Sequence, residues 1–148
     1  MRRGVLALVL IACQGGACEP PRRPLELVEA PALADVTGYV AAQVARGDAR
    51  VVVYVGASWC EPCQRFHAAA VAHQLDAAFA GLRLVMFDAD RDGRALEAAG
   101  YRSTLIPLFA LPAPDGRASG QQFEGSIKGD GAVAEILPHL RGLVGSAP

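Results

Sequence analysis

The sequence predicts an α/β domain with a mixed sheet of about four strands and helices on both faces. Short apolar runs rich in β-branched residues alternate with segments of helical periodicity, which favours parallel strands joined by right-handed crossovers. Near the end of the chain a turn-forming sequence separates two short strand segments, which adds an antiparallel hairpin. The chain has 148 residues, 52% of them hydrophobic, which is enough for one core and too few to favour two.

The N-terminal segment is typical of an exported protein. Residues 1–12 are predicted to be a signal peptide, because Arg2 and Arg3 precede an apolar run far shorter than the roughly 20 residues of a membrane span. The end of this run, from Leu10 to Cys13, resembles the lipobox of bacterial lipoproteins. That resemblance implies cleavage before Cys13, lipidation of Cys13 and anchoring on the periplasmic side of a bacterial membrane. The alternative is an ordinary cleaved signal in which Cys13 is incidental.

Residues 13–32 are predicted to form a tether between the lipid and the folded domain. The stretch 14–24 is rich in glycine and proline and has no apolar periodicity. It carries Cys18, an odd thiol in an exported chain, which is either a bystander or the site of an intermolecular disulfide. The folded domain is therefore expected to span residues 33–145.

The elements of this domain are predicted from their periodicity and their boundaries. Four segments have the apolar spacing of helices, and a glycine follows each of the first three: residues 34–46, 60–80, 92–99 and 131–143. Four segments are predicted strands: the apolar runs at residues 50–57, 82–87 and 105–111, and residues 121–123, which follow a turn. The last two strands are expected to form the hairpin, since residues 113–117 are turn-forming by composition.

One motif carries chemistry. The stretch GASWCEPCQRFH places Cys60 and Cys63 three positions apart behind a strand, where the next helix begins. A thiolate at Cys60 would face unpaired backbone N–H groups and the positive end of the helix dipole, both of which lower the pKa of the thiol. Cys63, one turn further on, would then resolve a mixed disulfide by attacking Cys60. The spacing therefore favours a redox couple.

The two residues between the cysteines fit this interpretation. Pro62 suits the first helical turn, where its missing N–H costs nothing. Glu61 gains from the helix N-terminus but repels a neighbouring thiolate, by about 1 kcal/mol at contact distance in water. We therefore expect the pKa of the Cys60 thiol to be lowered only moderately. Such a couple is reducing, which favours a reductase.

From Val36 to Val144 the chain resembles the thioredoxin fold. The resemblance is carried by Trp59 with the CEPC tetrad, Ile106–Pro107, the Asp115–Gly116 hairpin, Gly125 and the final amphipathic helix. Among subfamilies the chain is most similar to the small exported domains related to the C-terminal domain of the transmembrane thiol transporter. Its CEPC tetrad is also similar to that of the thioredoxin-like reductases of cytochrome c maturation.

The resemblance implies further site residues. It implies that Pro107 is cis and lies against the disulfide, that the backbone of Ile106 pairs with a client peptide, and that Trp59 covers one side of the sulfurs.

Two departures from the thioredoxin pattern concern the proton of the second cysteine. Tyr54 stands where thioredoxins have a buried aspartate that helps to move this proton, and Gln64 replaces a frequent lysine. The proton of Cys63 therefore needs water, Glu61 or another group as its acceptor.

The predicted function is a membrane-anchored, extracytoplasmic thiol-disulfide oxidoreductase that reduces protein disulfides. The Cys60–Cys63 couple is expected to need no other cofactor and no metal. The expected partners are protein thiols and disulfides, together with a membrane or periplasmic electron donor. Fourteen basic against fifteen acidic residues give no electrostatic case for nucleic acid.

Three alternatives stand beside this prediction. Cys60, Cys63 and His67 could hold copper or zinc in a metallochaperone, since Cys63 and His67 share a helical face. Residues 88–93 mimic the start of a calcium loop, although its twelfth position is Ala99 instead of glutamate. A purely structural Cys60–Cys63 disulfide would close too small a loop to remove much entropy from the unfolded chain.

Overall fold

The computed structural model describes residues 23–32 and 35–145, so the predicted signal peptide, Cys13 and Cys18 lie outside the described residues. Strands and helices follow one another along the chain: β1 (Glu26–Glu29), α1 (Val36–Ala45), β2 (Arg50–Gly56), α2 (Glu61–Val71), β3 (Leu82–Asp88), α3 (Ala89–Ala98), β4 (Leu108–Pro112), β5 (Ala118–Glu124) and α4 (Ala132–Gly145). Within the described ranges, none of the helices has the length and apolar character needed to cross a bilayer.

Five strands form one mixed sheet in the order β1-β3-β2-β4-β5. β3 pairs in parallel with β1 and β2, whereas β4 runs antiparallel to both β2 and β5. β2 therefore lies in the centre of the sheet, and its residues 51–56 are all buried. A strand covered on both faces needs such a continuous run of β-branched residues, which is why it was recognisable in the sequence.

Helices cover both faces of the sheet, as the sequence predicts. On one face α2 and α4 enclose a core that includes Val52, Phe66, Leu84, Phe109 and Ile136. On the other face α1 and α3 enclose a second core that includes Val36, Val40, Val53, Val85 and Leu96. Because β2 contributes alternate residues to both cores, its C-terminal end is held rigidly where α2 begins.

The first strand corrects the prediction for the N-terminal tether. Residues 26–29 pair in register with residues 83–86 of β3, although the sequence predicts a tether over 13–32. Leu25 and Ala30, on either side of β1, are buried. The tether prediction was wrong for this stretch, and the sheet has five strands instead of about four. A four-residue strand shows too little periodicity to be recognised without its partner.

A buried arginine fastens β1 to the loop after α1. The side chain of Arg83 is 0% exposed, and its guanidinium lies 2.8 Å from the carboxylate of Glu26 and 2.9 Å from that of Asp48. The hydrogen bond from Arg83 is the main reason why the pKa of the Asp48 carboxyl lies far below its usual range. Sequence reasoning missed this cluster, because it treated residues 82–87 only as an apolar strand.

The second helix is shorter than its periodicity suggests. It ends at Val71 instead of near residue 80, because His73 has a φ of 59°, a left-handed conformation that a continuing helix does not contain. Leu75 and Phe79 are nevertheless buried in the core. The apolar spacing that predicted a longer helix therefore reflects the packing of the turns that follow α2.

The third helix begins at Ala89 instead of residue 92, and Asp88 is its cap. The side chain of Asp88 accepts the backbone N–H groups of Asp90 and Arg91. Asp92 lies within the helix, is 2% exposed and accepts the N–H of Asp88. Two strand boundaries also move, since β4 begins at residue 108 instead of 105 and β5 spans residues 118–124 instead of 121–123.

Candidate active site

Cys60 is the residue that precedes α2, and its backbone is extended, with φ −82° and ψ 105°. Its Sγ accepts the backbone N–H of Cys63 at 3.3 Å, as an N-cap side chain does. The sulfur therefore lies over the first turn of α2, where backbone N–H groups have no partner within the helix. Pro62 occupies the same turn, where no N–H donor is required.

Cys60 and Cys63 form a disulfide with an S–S distance of 2.04 Å. The two residues are buried, with exposed fractions of 4% and 3%. They face different spaces, because Cys60 lines a groove on one side of the disulfide, whereas Cys63 lines a second cavity on the other side. Cys60 is therefore the sulfur that a client in the groove would meet.

The loop before β4 lies against Cys60. The Ile106–Pro107 peptide bond is cis, which is the geometry that the resemblance implies. The carbonyl oxygen of Ile106 lies 3.7 Å from Cys60 Sγ. Gly125, with a φ of 78° that favours glycine, donates its N–H to the carbonyl of Pro107 at 2.9 Å. This bond holds the loop to the end of β5.

Trp59 stands at the rim of the groove, beside the disulfide. Its side chain is exposed, and the residue retains 67% of its accessible surface. The indole Nε1 donates a hydrogen bond to Asp90 of α3 at 2.8 Å. α3 therefore fixes the orientation of the indole. Asp90 has this role in the structure, although the sequence singled it out only as part of a calcium-like loop.

The groove beside Cys60 has a volume of about 540 Å³. Its lining includes apolar side chains from α3 and from the loop before β4, among them Leu96, Leu105 and Ile106. Leu105 is 59% exposed, so it adds apolar surface next to Trp59. A concave apolar site of this size is suited to holding the side chains of an extended peptide.

Glu61 is held by α2 and by the segment before α4. Its Oε1 accepts hydrogen bonds from Arg65 Nε at 2.9 Å and from the N–H of Gly129 at 3.2 Å. Arg65 also lies 2.7 Å from Asp130. The hydrogen bond from Arg65 is the main reason why the pKa of the Glu61 carboxyl lies below its usual value.

This pairing corrects two expectations for Glu61. A carboxylate held in its charged form is a poor acceptor for the proton of Cys63, so Glu61 is not well suited to accept that proton. Its repulsion of a Cys60 thiolate is also offset in part by the adjacent guanidinium of Arg65. Sequence reasoning missed Arg65, although its spacing of four residues from Glu61 on a helix is a recognisable signal. No pattern in the sequence indicates that Gly129 and Asp130 lie near Glu61 and Arg65.

Tyr54 lies in β2, and its hydroxyl donates to the carbonyl of Cys63 at 3.4 Å. Its ring packs against those of Phe66 and Phe109, with centroid distances of 5.7 and 5.1 Å. Burial raises the pKa of the Tyr54 phenol far above its usual value. A phenol that stays protonated cannot accept a proton at neutral pH. Tyr54 therefore does not replace chemically the buried aspartate that thioredoxins have at this place.

The structure gives the metal alternatives no geometric support. His67 is an exposed residue of α2. Within residues 23–32 and 35–145, no three histidine, cysteine, aspartate or glutamate side chains are grouped so that they could hold a metal ion. Asp88, Asp90 and Asp92 each have a different partner: Asp88 caps α3, Asp90 accepts the bond from Trp59, and Asp92 pairs with Arg91.

Comparisons with known proteins agree with this geometry. Neither a protein-family model nor a curated protein matches the chain. Among solved structures, thioredoxin from Trichomonas vaginalis is similar, with 18% identity, a TM-score of 0.53, and 82% of this chain and 97% of that chain covered. The reduced thioredoxin pre-protein from Schistosoma mansoni is similar with 20% identity, a TM-score of 0.50, and 80% of this chain and 98% of that chain covered. The chain therefore has the thioredoxin fold, with its Cys60–Cys63 disulfide at the start of α2.

Proposed function

We propose that this chain is a thiol-disulfide oxidoreductase that reduces the disulfides of proteins outside the cytoplasm. The observation that carries the proposal is the position of Cys60, whose sulfur accepts an N–H at the start of α2 and lies beside both the Ile106–Pro107 loop and the groove. A helix N-terminus favours the thiolate over the thiol. The disulfide found here is the oxidised form of the couple.

The reaction proceeds by two thiol-disulfide exchanges. The thiolate of Cys60 attacks one sulfur of a client disulfide, and the other client sulfur leaves as a thiolate that takes up a proton. Cys63 then gives up its proton and attacks the sulfur of Cys60, which releases the second client thiol. Two electrons have passed to the client, and the Cys60–Cys63 disulfide is left. A membrane or periplasmic dithiol donor restores the reduced couple.

The direction of the reaction follows from how strongly the thiolate is stabilised. A strongly stabilised thiolate makes the dithiol form stable and the couple oxidising. Here the nearby charges of Glu61 and Arg65 oppose each other, so the helix N-terminus is the main source of the acidity of Cys60. We therefore propose that the couple has a low reduction potential and acts as a reductant.

The equilibrium of the couple with reduced and oxidised glutathione tests this direction. We expect a potential near that of thioredoxin, about −270 mV, because the stabilisation of the thiolate is moderate. The fraction of protein in the disulfide form is read by alkylation and mass spectrometry across a series of glutathione ratios. A potential near that of DsbA, about −120 mV, would make the protein an oxidase and refute the assignment.

The proposal also places the protein on the outer side of a membrane through Cys13. Several acyl chains, at about 0.8 kcal/mol per buried methylene, would hold it there, whereas a single chain would be marginal. In bacterial cells that produce the full chain, Cys13→Ser is expected to move the protein from the membrane fraction to the soluble one. Cys18→Ser is the matched control and should stay with the membrane. Membrane association that survives Cys13→Ser would disprove the anchor.

A further inference from the structure

A second cavity lies behind the disulfide, on the side of Cys63. Its volume is about 360 Å³, far above the roughly 15 Å³ that a cavity needs to hold one water molecule. Residues of five elements and their ends line it, and eight of them carry polar or ionisable side chains, among them Cys63, His67, Tyr54, Glu29, Asp88 and Arg91. A cavity with such a lining provides hydrogen-bond partners for several water molecules.

The groove and the second cavity lie next to different cysteines. In the mixed disulfide the sulfur of Cys60 is bonded to the client, which occupies the groove. Cys63 must lose its proton before it can attack, because the thiolate is the nucleophile. With the client covering the groove, the second cavity is the space through which this proton can leave.

Most of the polar groups around the cavity are poor acceptors for this proton. The phenol of Tyr54 stays protonated at neutral pH. Arg91 is a cation without an acceptor atom; it donates to the carbonyl of Ala30 at 2.8 Å and pairs with Asp92 at 2.7 Å. Asp88 already accepts two backbone N–H groups at the start of α3.

The remaining groups around the cavity differ in position and in chemistry. Glu29 is a residue of β1, whereas His67 belongs to the same helix as Cys63. Imidazole is the side chain that most often acts as a general base in proteins, and neither a glutamine amide nor a serine hydroxyl is a base of this kind. His67 is the imidazole that lines this cavity.

The position of His67 fits this task. It lies four residues after Cys63 in α2, so the two side chains are neighbours on one face of the helix. His67 is exposed, whereas Cys63 is buried. The imidazole can therefore take up a proton from the cavity and release it to bulk solvent.

We propose that His67 accepts the proton of Cys63, through water in this cavity, during the second exchange. The step balances, since the S–H proton passes to the imidazole while the thiolate of Cys63 bonds to the sulfur of Cys60. The client thiolate then leaves and takes a proton from solvent. This inference rests on the proposed function and adds to it a separate proton route.

The reaction of the reduced protein with Ellman's reagent tests the proposal in two phases. Cys60 releases the first thionitrobenzoate, and the attack by Cys63 releases the second. In His67→Gln we expect the first phase to be unchanged and the second to be slower by at least about tenfold at pH 8. The ratio of wild-type to variant rates should fall towards one as the pH is lowered, because a protonated imidazole cannot accept a proton.

Two further measurements sharpen the result. His139→Gln, a substitution in α4 away from both spaces, is the matched control and should leave both phases unchanged. Added imidazole should restore the second phase in His67→Ala. A second phase that is insensitive to His67→Gln, or a rate ratio that grows as the pH falls, would overturn the proposal. A slow second phase in Tyr54→Phe with a normal one in His67→Gln would overturn it as well.

The same experiment separates this inference from the proposed function. If both phases occur but the second does not depend on His67, the oxidoreductase stands and the proton route is wrong. If the first phase is no faster than with an unfolded control peptide, Cys60 is not an activated thiol, and both proposals fail.

Discussion

Replacing Cys60 by serine is expected to lower the rate of protein disulfide reduction by about a thousandfold or more, which is the scale of loss when a nucleophile is removed. The serine hydroxyl would accept the N–H of Cys63 in the same place, but it does not ionise near neutral pH and cannot form a mixed disulfide. Reduction of insulin by the full chain, with dithiothreitol as the electron donor, measures the effect.

Cys63→Ser is the informative counterpart. It leaves the thiolate at the start of α2 but removes the resolving sulfur, so it should accumulate a covalent mixed disulfide with the client instead of turning over. Non-reducing electrophoresis and mass spectrometry would detect this species and identify the client. Insulin reduction that persists in Cys60→Ser, or a mixed disulfide that forms through Cys63 and not Cys60, would contradict the assigned roles.

Replacing Arg83 by methionine is expected to lower the free energy of unfolding by about 1–3 kcal/mol, because it removes a buried guanidinium that hydrogen-bonds to two partly exposed carboxylates. Methionine fills much of the space, but it leaves Glu26 without this partner, whereas Asp48 keeps its contact with Arg46 at 3.2 Å. The attachment of β1 to β3 should weaken most, because Glu26 belongs to β1. Urea denaturation measures the change. Arg94→Met, at an exposed position of α3, is the control and should change stability by less than about 0.5 kcal/mol.

The effect of Arg83→Met should depend on pH. In the folded protein Arg83 lowers the pKa of the Asp48 carboxyl below its value in the unfolded chain. This stabilises the fold above the unfolded pKa, near pH 4, and the stabilisation is lost as the pH falls towards the folded pKa. The difference in stability between wild type and Arg83→Met should therefore narrow between about pH 5 and pH 2. A difference in stability that stays constant or grows as the pH falls would show that Arg83 does not lower the pKa of Asp48.

The sequence was sufficient for the fold and for the central couple, because their signals are local. A strand with continuous β-branched residues, followed by two cysteines one helical turn apart, specifies where α2 begins and which sulfur caps it. β1 could not be predicted in this way, since its four residues become a strand only by pairing with β3. Arg83 also looked like an ordinary polar residue in an apolar strand, because its partner Glu26 is far away in the chain.

Some contacts around the Cys60–Cys63 couple could likewise be predicted from the sequence, and others could not. The pair of Glu61 with Arg65 has the four-residue spacing of a helix and could have been read from the sequence. The spacing of Cys63 and His67 alone suggests a metal site, because the cavity that both residues line is completed by segments from β1, β2, β3 and α3. Only the folded structure shows that Cys60 lines the groove and that Cys63 lines the second cavity.

The most direct test of the account is the rate at which iodoacetamide alkylates Cys60 in the reduced full chain as a function of pH. The account predicts a midpoint clearly below the value of about 8.5 for free cysteine, because the start of α2 stabilises the thiolate. Mass spectrometry assigns the modified sulfur. A midpoint at or above about 8.5, or preferential alkylation of Cys63, would contradict the claim that Cys60 is the activated sulfur.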